Sequence, residues 1–217
     1  MKQRTVVIGG GKVTILCSIK GLVKERGEVK KAISELRPDL VGLAISPEEL
    51  KAMDRVRKKG KDVDKKECVL SNYEEVYAKK LSKFGTVKAP PRAISAAFKL
   101  CREKNILLEA IDLNNKDYAD VYADAVTTSQ LIAHTFKWRQ LKLKTFKAET
   151  PEEFVLQWDR QVTKLSGFRM LEEARERYMA KMLQRLVKRM GHRHVVAIIE
   201  LERVKGVCSH LGGCEEK

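Results

Sequence analysis

A chain of 217 residues, 43% of them hydrophobic, is long enough for one α/β domain or a domain carrying a helical insertion, and too apolar to be disordered. No apolar run reaches membrane-spanning length, and Met1-Lys2-Gln3-Arg4 leads into a strand pattern and not a signal-peptide core, so a soluble cytoplasmic protein is expected. A net charge of +15 points to anionic partners, nucleic acid and anionic membrane surfaces among them; the plainer explanation is a thermophile-like surface rich in Lys, Arg and Glu.

In chain order, β-branched residues over 6–8 and 12–19 predict two strands, with Gly9-Gly10-Gly11 supplying the positive φ angles of a hairpin turn. Gly11-Lys12 is not a phosphate loop, because Val13 follows where Ser or Thr is needed and a strand follows where a helix is needed. Val29, Ala32, Ile33 and Leu36 have helical spacing, and Pro38 closes that helix. The nearly unbroken apolar run 40–45 predicts a buried parallel strand, and Pro47 with Glu48 and Glu49 opens the next helix. The stretch 51–67, with eight basic and four acidic residues, reads as a helix end and a loop. Asn72 is predicted to cap a helix running to residue 84, with Glu75 at the reciprocal position. After Pro90-Pro91, a helix over 92–104 feeds a strand over 106–113.

Residues 115–147 read as helix, with a break available at Thr127-Thr128. Thr150-Pro151-Glu152-Glu153 is a strong helix start, and that helix is expected to end near Gly167. A long helix over 168–190 carries Met179, Met182, Leu183, Leu186 and Met190 on one side, before a strand over 195–201 and a short final helix. The alternation gives a single α/β domain over 1–217. It has a mostly parallel central sheet with an N-terminal β-hairpin edge, helices on both faces, and a helical insertion over 116–167 before the last strand.

Four ordered segments carry a family resemblance. They are the hairpin through Ile19; Arg37-Pro38-Asp39-Leu40-Val41-Gly42-Leu43; Pro90-Pro91-Arg92-Ala93-Ile94-Ser95-Ala96-Ala97-Phe98 with Ala110-Ile111-Asp112-Leu113; and Arg175-Glu176-Arg177-Tyr178-Met179-Ala180 with Val195-Val196-Ala197-Ile198-Ile199. Together they cover most of the chain outside the insertion. The set resembles the TraB/PrgY family, related to the Tiki metalloproteases and more distantly to the ChaN and erythromycin-esterase folds. That family's site begins with Gly-Thr-x-His, where this chain has Cys17-Ser18-Ile19-Lys20. Its strand Glu and following Arg align with Ala44 and Glu49, and its Asp-Arg pair with Asp112 and Leu113. Its closing Gly-x-x-His aligns with Glu200-Leu201-Glu202-Arg203, whereas its helical Arg is kept as Arg175. Lys20 and Arg203 at the two His positions offer hydrogen-bond donors and positive charge in place of metal-ligating imidazoles. The resemblance therefore implies a catalytically degenerate protein with a binding or regulatory role, needing no metal and no cofactor. The alternatives are a basic nucleic-acid-associated protein and a metal-dependent, peptidase-like hydrolase with a site rebuilt on Asp112, Glu200 and Glu202.

Ligands of open α/β sheets bind beyond the carboxyl ends of the strands. Lys20, Ser46, Asp112, Glu200, Glu202 and Arg203 are expected there, with Arg175 nearby, either as a small charged pocket or as a salt-bridge cluster filling a dead site. Lys137, Trp138, Arg139, Lys142, Lys144 and Lys147 are the nucleic-acid candidates, set against an amphipathic helix with solvated lysines. Cys208, His210 and Cys214, with His192 and His194, are of ligating type but match no standard zinc spacing, and incidental cysteines on a flexible tail are the expectation there. Five scattered cysteines do not form a secreted disulfide framework. The partner expectation is an anionic ligand or nucleic acid, with homo-oligomerisation left open.

Overall fold

The computed structural model describes residues 1–65, 70–189, 191 and 193–216. Among them one sheet is built from β1 (Gln3–Ile8), β2 (Gly11–Ser18), β3 (Leu40–Leu43), β4 (Leu107–Ala110), β5 (His194–Glu200) and the two-residue β6 (Glu215–Glu216), in the order β4-β3-β5-β2-β1-β6. β2, β5, β3 and β4 run parallel, while β1 is antiparallel to both β2 and β6. The expected α/β architecture with a hairpin beside a mostly parallel sheet is the observed one. Gly9 and Gly10 turn the hairpin at φ 54° and 91°, a region L side chains enter at a cost.

The helices are α1 (Glu25–Leu36), α2 (Pro47–Lys58), α3 (Asn72–Leu81), α4 (Arg92–Glu103), α5 (Asn115–Ala125), α6 (Thr128–Leu143), α7 (Pro151–Val162), α8 (Ser166–Arg189) and α9 (Leu201–His210). Strand side chains alternate between faces, and the core divides accordingly. Leu16, Val41, Val196 and Ile198 meet Val29 and Ile33 of α1 and Ala97 and Phe98 of α4. Val13, Ile15, Val195, Ala197 and Ile199 face the other way, onto Met179 and Leu183 of α8 and Val204 and Val207 of α9. A third cluster joins Ile19 and Leu22, just beyond β2, to α3, α6 and α7 through Leu81, Leu141, Phe154 and Trp158.

Several boundaries differ from the sequence reading for local reasons. α3 is capped by Ser71, whose hydroxyl accepts from Glu74 N while Glu74 answers at Ser71 N; the reciprocal pair thus lies one residue before the expected Asn72 and Glu75. Thr127 caps α6 and splits 115–147 into two helices, and the second ends at Leu143, four residues before Lys147. The turn between α7 and α8 falls at 163–165, so Gly167 lies inside α8. It has no room for a side chain there, since a Cβ would meet the Ala125 carbonyl and the Gln130 amide. Met190, His192 and part of the charged stretch 51–67 lie outside the described residues. No helix among the described residues is long and apolar enough to cross a membrane.

Candidate functional site

Because β2, β3, β4 and β5 run parallel, their carboxyl ends open on one side of the molecule, and a cavity of about 490 Å³ lies there. Ser18, Ala44, Asp112, Ile198 and Glu200 from these strand ends line it, joined by Arg175 of α8. Its walls are mainly apolar: Ala52, Met53 and Val56 of α2, Tyr77 and Ala78 of α3, Val87, Pro90 and Pro91 of the following loop, and Ile94 of α4. A mainly apolar recess with a few converging polar groups is the usual form of a small-molecule site.

Arg175 organises the polar part. Its Nε donates to Asp112 at 3.1 and 3.3 Å, and Nη2 donates to Asp112 Oδ2 at 2.5 Å. Nη1 reaches Glu172 Oε2 at 2.7 Å, and Glu200 Oε2 lies 3.8 Å from Nη2. Burial opposes the guanidinium charge, but the carboxylates of Glu172, Glu200 and Asp112 outweigh it and raise the Arg175 pKa. Asp112 also accepts from Leu113 N at 2.8 Å. Lys20 pairs with Glu74 at 3.2 Å, with both side chains open to solvent. Burial would raise Glu74, but the Ser71 amide and Lys20 hold it below the ordinary carboxylate range.

Of the seven pocket candidates, Lys20, Asp112, Arg175 and Glu200 line this cavity; the other three do not. Ser46 is the N-cap of α2: its hydroxyl accepts from Glu49 N at 3.2 Å, and Glu49 Oε2 accepts from Ser46 N at 3.0 Å. Arg203, only 5% exposed, turns away into a buried ion cluster. It donates to Glu176 at 3.0 Å and to Asp159, with Glu172 Oε2 3.6 Å from its Nε. Glu172 therefore links the Arg175 and Arg203 groups. Glu202 occupies the first turn of α9, and its Oε2 is buried without a hydrogen-bond partner among the described residues, as are Glu200 Oε2 and the Tyr77 hydroxyl.

These groups share a low-dielectric interior, and their protonation follows. Burial pushes Glu202 up to about 8, reinforced by the neighbouring Glu200 charge. Burial also raises Glu200 against the pull of Arg175, and raises Glu176 to about 7 against the pull of Arg203. Tyr77 is raised by burial and by the surrounding Glu202, Glu25 and Glu200. A salt-bridge cluster fills the interior around Arg203, and a chamber with polar groups on part of its wall lies beside Arg175.

The sequence reading missed Asp159, Glu172 and Glu176, which complete the ion clusters, and Tyr77, Met53, Val56 and Ile94, which shape the chamber. Glu172 and Glu176 stand four residues apart on one helix, a spacing visible in the sequence. Among the described residues no group of three or more His, Cys, Asp and Glu side chains is arranged to hold a metal ion. Asp112, Glu200 and Glu202 in particular do not fit one, since Arg175 already occupies the space beside the first two.

The C-terminal cysteines are not incidental. Cys208 and Cys214 are joined as a disulfide across a Cα–Cα distance of 5.3 Å, which removes both sulfurs from the ligating set and anchors the tail. His194 interacts with Thr14 Oγ1 at 2.9 Å, His210 is exposed at the end of α9, and His192 lies outside the described residues.

In the basic segment, Arg139, Lys142, Lys144 and Lys147 are exposed, whereas Lys137 and Trp138 are half-buried. Lys144 caps the end of α6 and Lys147 lies beyond it, so Lys137, Lys144 and Lys147 do not share one helical face. Trp138 packs with the third core cluster. No protein-family model matches the chain, and no curated protein matches it.

Proposed function

We propose that this chain is a TraB/PrgY-like α/β domain that has given up metal-dependent hydrolysis and binds a small organic ligand in the chamber beyond its parallel strands. One observation carries this reading. The Arg175 guanidinium sits between Asp112, Glu172 and Glu200 and supplies the positive charge those carboxylates need. A cation at Asp112 would have to displace it. What remains is a mainly apolar volume of about 490 Å³ with Lys20 near Glu74 and the Asp112–Arg175 pair on its wall, suited to an apolar ligand bearing a polar or anionic group. A cytoplasmic, binding or regulatory role belongs to the same reading.

The nucleic-acid reading draws less support. Four of its basic residues are exposed, but the Trp138 ring that would stack on bases packs inward. The rebuilt-hydrolase reading finds no convergent ligand set among the described residues.

The test is native mass spectrometry and elemental analysis of the purified chain, compared with Ala78→Trp, which fills the chamber. An apolar small molecule retained by the parent protein and absent from Ala78→Trp is expected. Stoichiometric zinc, manganese or cobalt that disappears in Asp112→Asn would overturn the reading in favour of a rebuilt metal site.

A further inference from the structure

α6 is apolar on two opposite sides, and only one of them is used by the fold. On the inner side Leu141 is 2% exposed, the His134 ring stacks between Tyr73 and Phe168, and the Tyr73 hydroxyl donates to the His134 carbonyl at 2.6 Å. On the outer side Ile132 is 56%, Phe136 53% and Leu143 85% exposed. Their spacings of four and seven residues put them in one stripe at about 100° per residue, running about 16 Å along the helix. Arg139 falls inside the stripe, with its guanidinium over the Phe136 ring at 5.4 Å and the Trp138 ring at 5.6 Å; exposed Lys142 and Lys144 flank it. No acidic residue occurs between Asp124 and Glu149.

We propose that the outer face of α6 docks on an anionic lipid bilayer surface, with Ile132, Phe136 and Leu143 entering the headgroup–acyl boundary and Arg139, Lys142 and Lys144 at the phosphates. An aliphatic and aromatic stripe bordered by cations on a helix too polar to span is the composition of an interfacial helix. Its inner side is held by Tyr73 and Phe168 against His134 and by the burial of Leu141 in the third core cluster, so the stripe is presented preformed. A second copy of the chain is disfavoured by charge, since an isologous contact would bring the positive patch of Arg139, Lys142 and Lys144 against the same patch on the other copy. Phosphate binding by nucleic acid would use the cations and leave three apolar side chains without a role.

The test is flotation of the full chain with vesicles of phosphatidylglycerol and phosphatidylcholine, against phosphatidylcholine alone, at low and high salt. Binding to the anionic vesicles, weakened by salt and absent on the neutral ones, is expected. Ile132→Asp with Phe136→Asp should lower it at least about a hundredfold, and Lys142→Glu with Lys144→Glu about tenfold or more. Leu143→Asp, at the most exposed position, provides a second apolar variant, with unchanged thermal unfolding as the check on folding. No flotation at low salt would overturn the proposal. So would flotation that survives the apolar substitutions, or an oligo(dT) or polyglutamate complex formed in place of vesicle binding. A parent dimer that the apolar substitutions convert to monomer would assign the face to a second copy instead.

Discussion

Glu202→Gln isolates the cost of a buried charge. The Glu202 carboxyl has one oxygen enclosed without a partner and lies close to Glu200, so the folded protein holds its proton up to about pH 8, against an ordinary value of 4.5. A carboxyl raised on folding contributes stability that is full below its unfolded value and is lost as pH rises through its folded value. Between pH 5 and pH 9 the parent chain must therefore lose stability at this site. At about 1.4 kcal/mol per pH unit, the interval from 4.5 to about 8 sets an upper bound of about 5 kcal/mol. Local relaxation and water penetration around a buried charge lower the cost actually met, and the expected loss is about 2 kcal/mol. The glutamine is uncharged at every pH and keeps the shape. In urea unfolding at pH 5, 7 and 9, Glu202→Gln should match the parent to within about 1 kcal/mol at pH 5 and exceed it by about 2 kcal/mol at pH 9. A variant that is equally destabilised at both ends of the range, or a parent more stable than the variant at pH 9, would refute the reasoning.

Arg203→Met leaves Glu176, Glu172 and Asp159 facing one another and should cost roughly 3–5 kcal/mol, about 10 °C in Tm, with a smaller loss at pH 5, where Glu176 is protonated; equal losses at pH 5 and pH 9 would speak against the ion cluster. Gly206→Ala gains helix propensity in α9, yet its Cβ would overlap the Glu176 carboxylate, so a net loss of about 2 kcal/mol is expected and a gain would show the packing to be looser. Ser46→Ala breaks the capping box of α2 and should lower stability by about 1 kcal/mol in denaturant titration, without changing retention of any chamber ligand by mass spectrometry.

What was legible in the sequence is what depends on short range. Val13, Ile15 and Leu16 lie in a run whose strand character needs no partner to be read, and Gly9-Gly10 announces the turn. The cap of α3 was misread by one residue because Ser71 and Asn72 are both good caps and Glu74 and Glu75 both good answers; the surrounding chain path decides between them. Lys20, Asp112 and Glu200 were reachable because strand ends in a parallel sheet share one side, whereas Arg175 stands on α8 and entered only through the family resemblance. Arg203 was misplaced because its partners Glu176 and Asp159 stand 27 and 44 positions away on other helices, and only packing brings them together. The outward turn of Ile132 and Phe136 was equally hidden. A helix apolar on two sides reads as a core helix until its neighbours are known.

The sheet has two rims, and they are guarded unequally. At one, β4 is only four residues long, with Leu107 exposed and Arg189 bridging to Glu109 at 2.6 Å. At the other, β1 has its outer amide row covered, among the described residues, by the two residues of β6, delivered by a turn through Gly212 and Gly213 at φ 91° and 105° and held by the Cys208–Cys214 bond. Unpaired strand rims recruit further strands, including those of other molecules. A thiol reductant that opens this one bond would therefore act first on the colloidal behaviour of the protein. Its tendency to self-associate during storage should follow the redox state of two sulfur atoms more closely than it follows Tm.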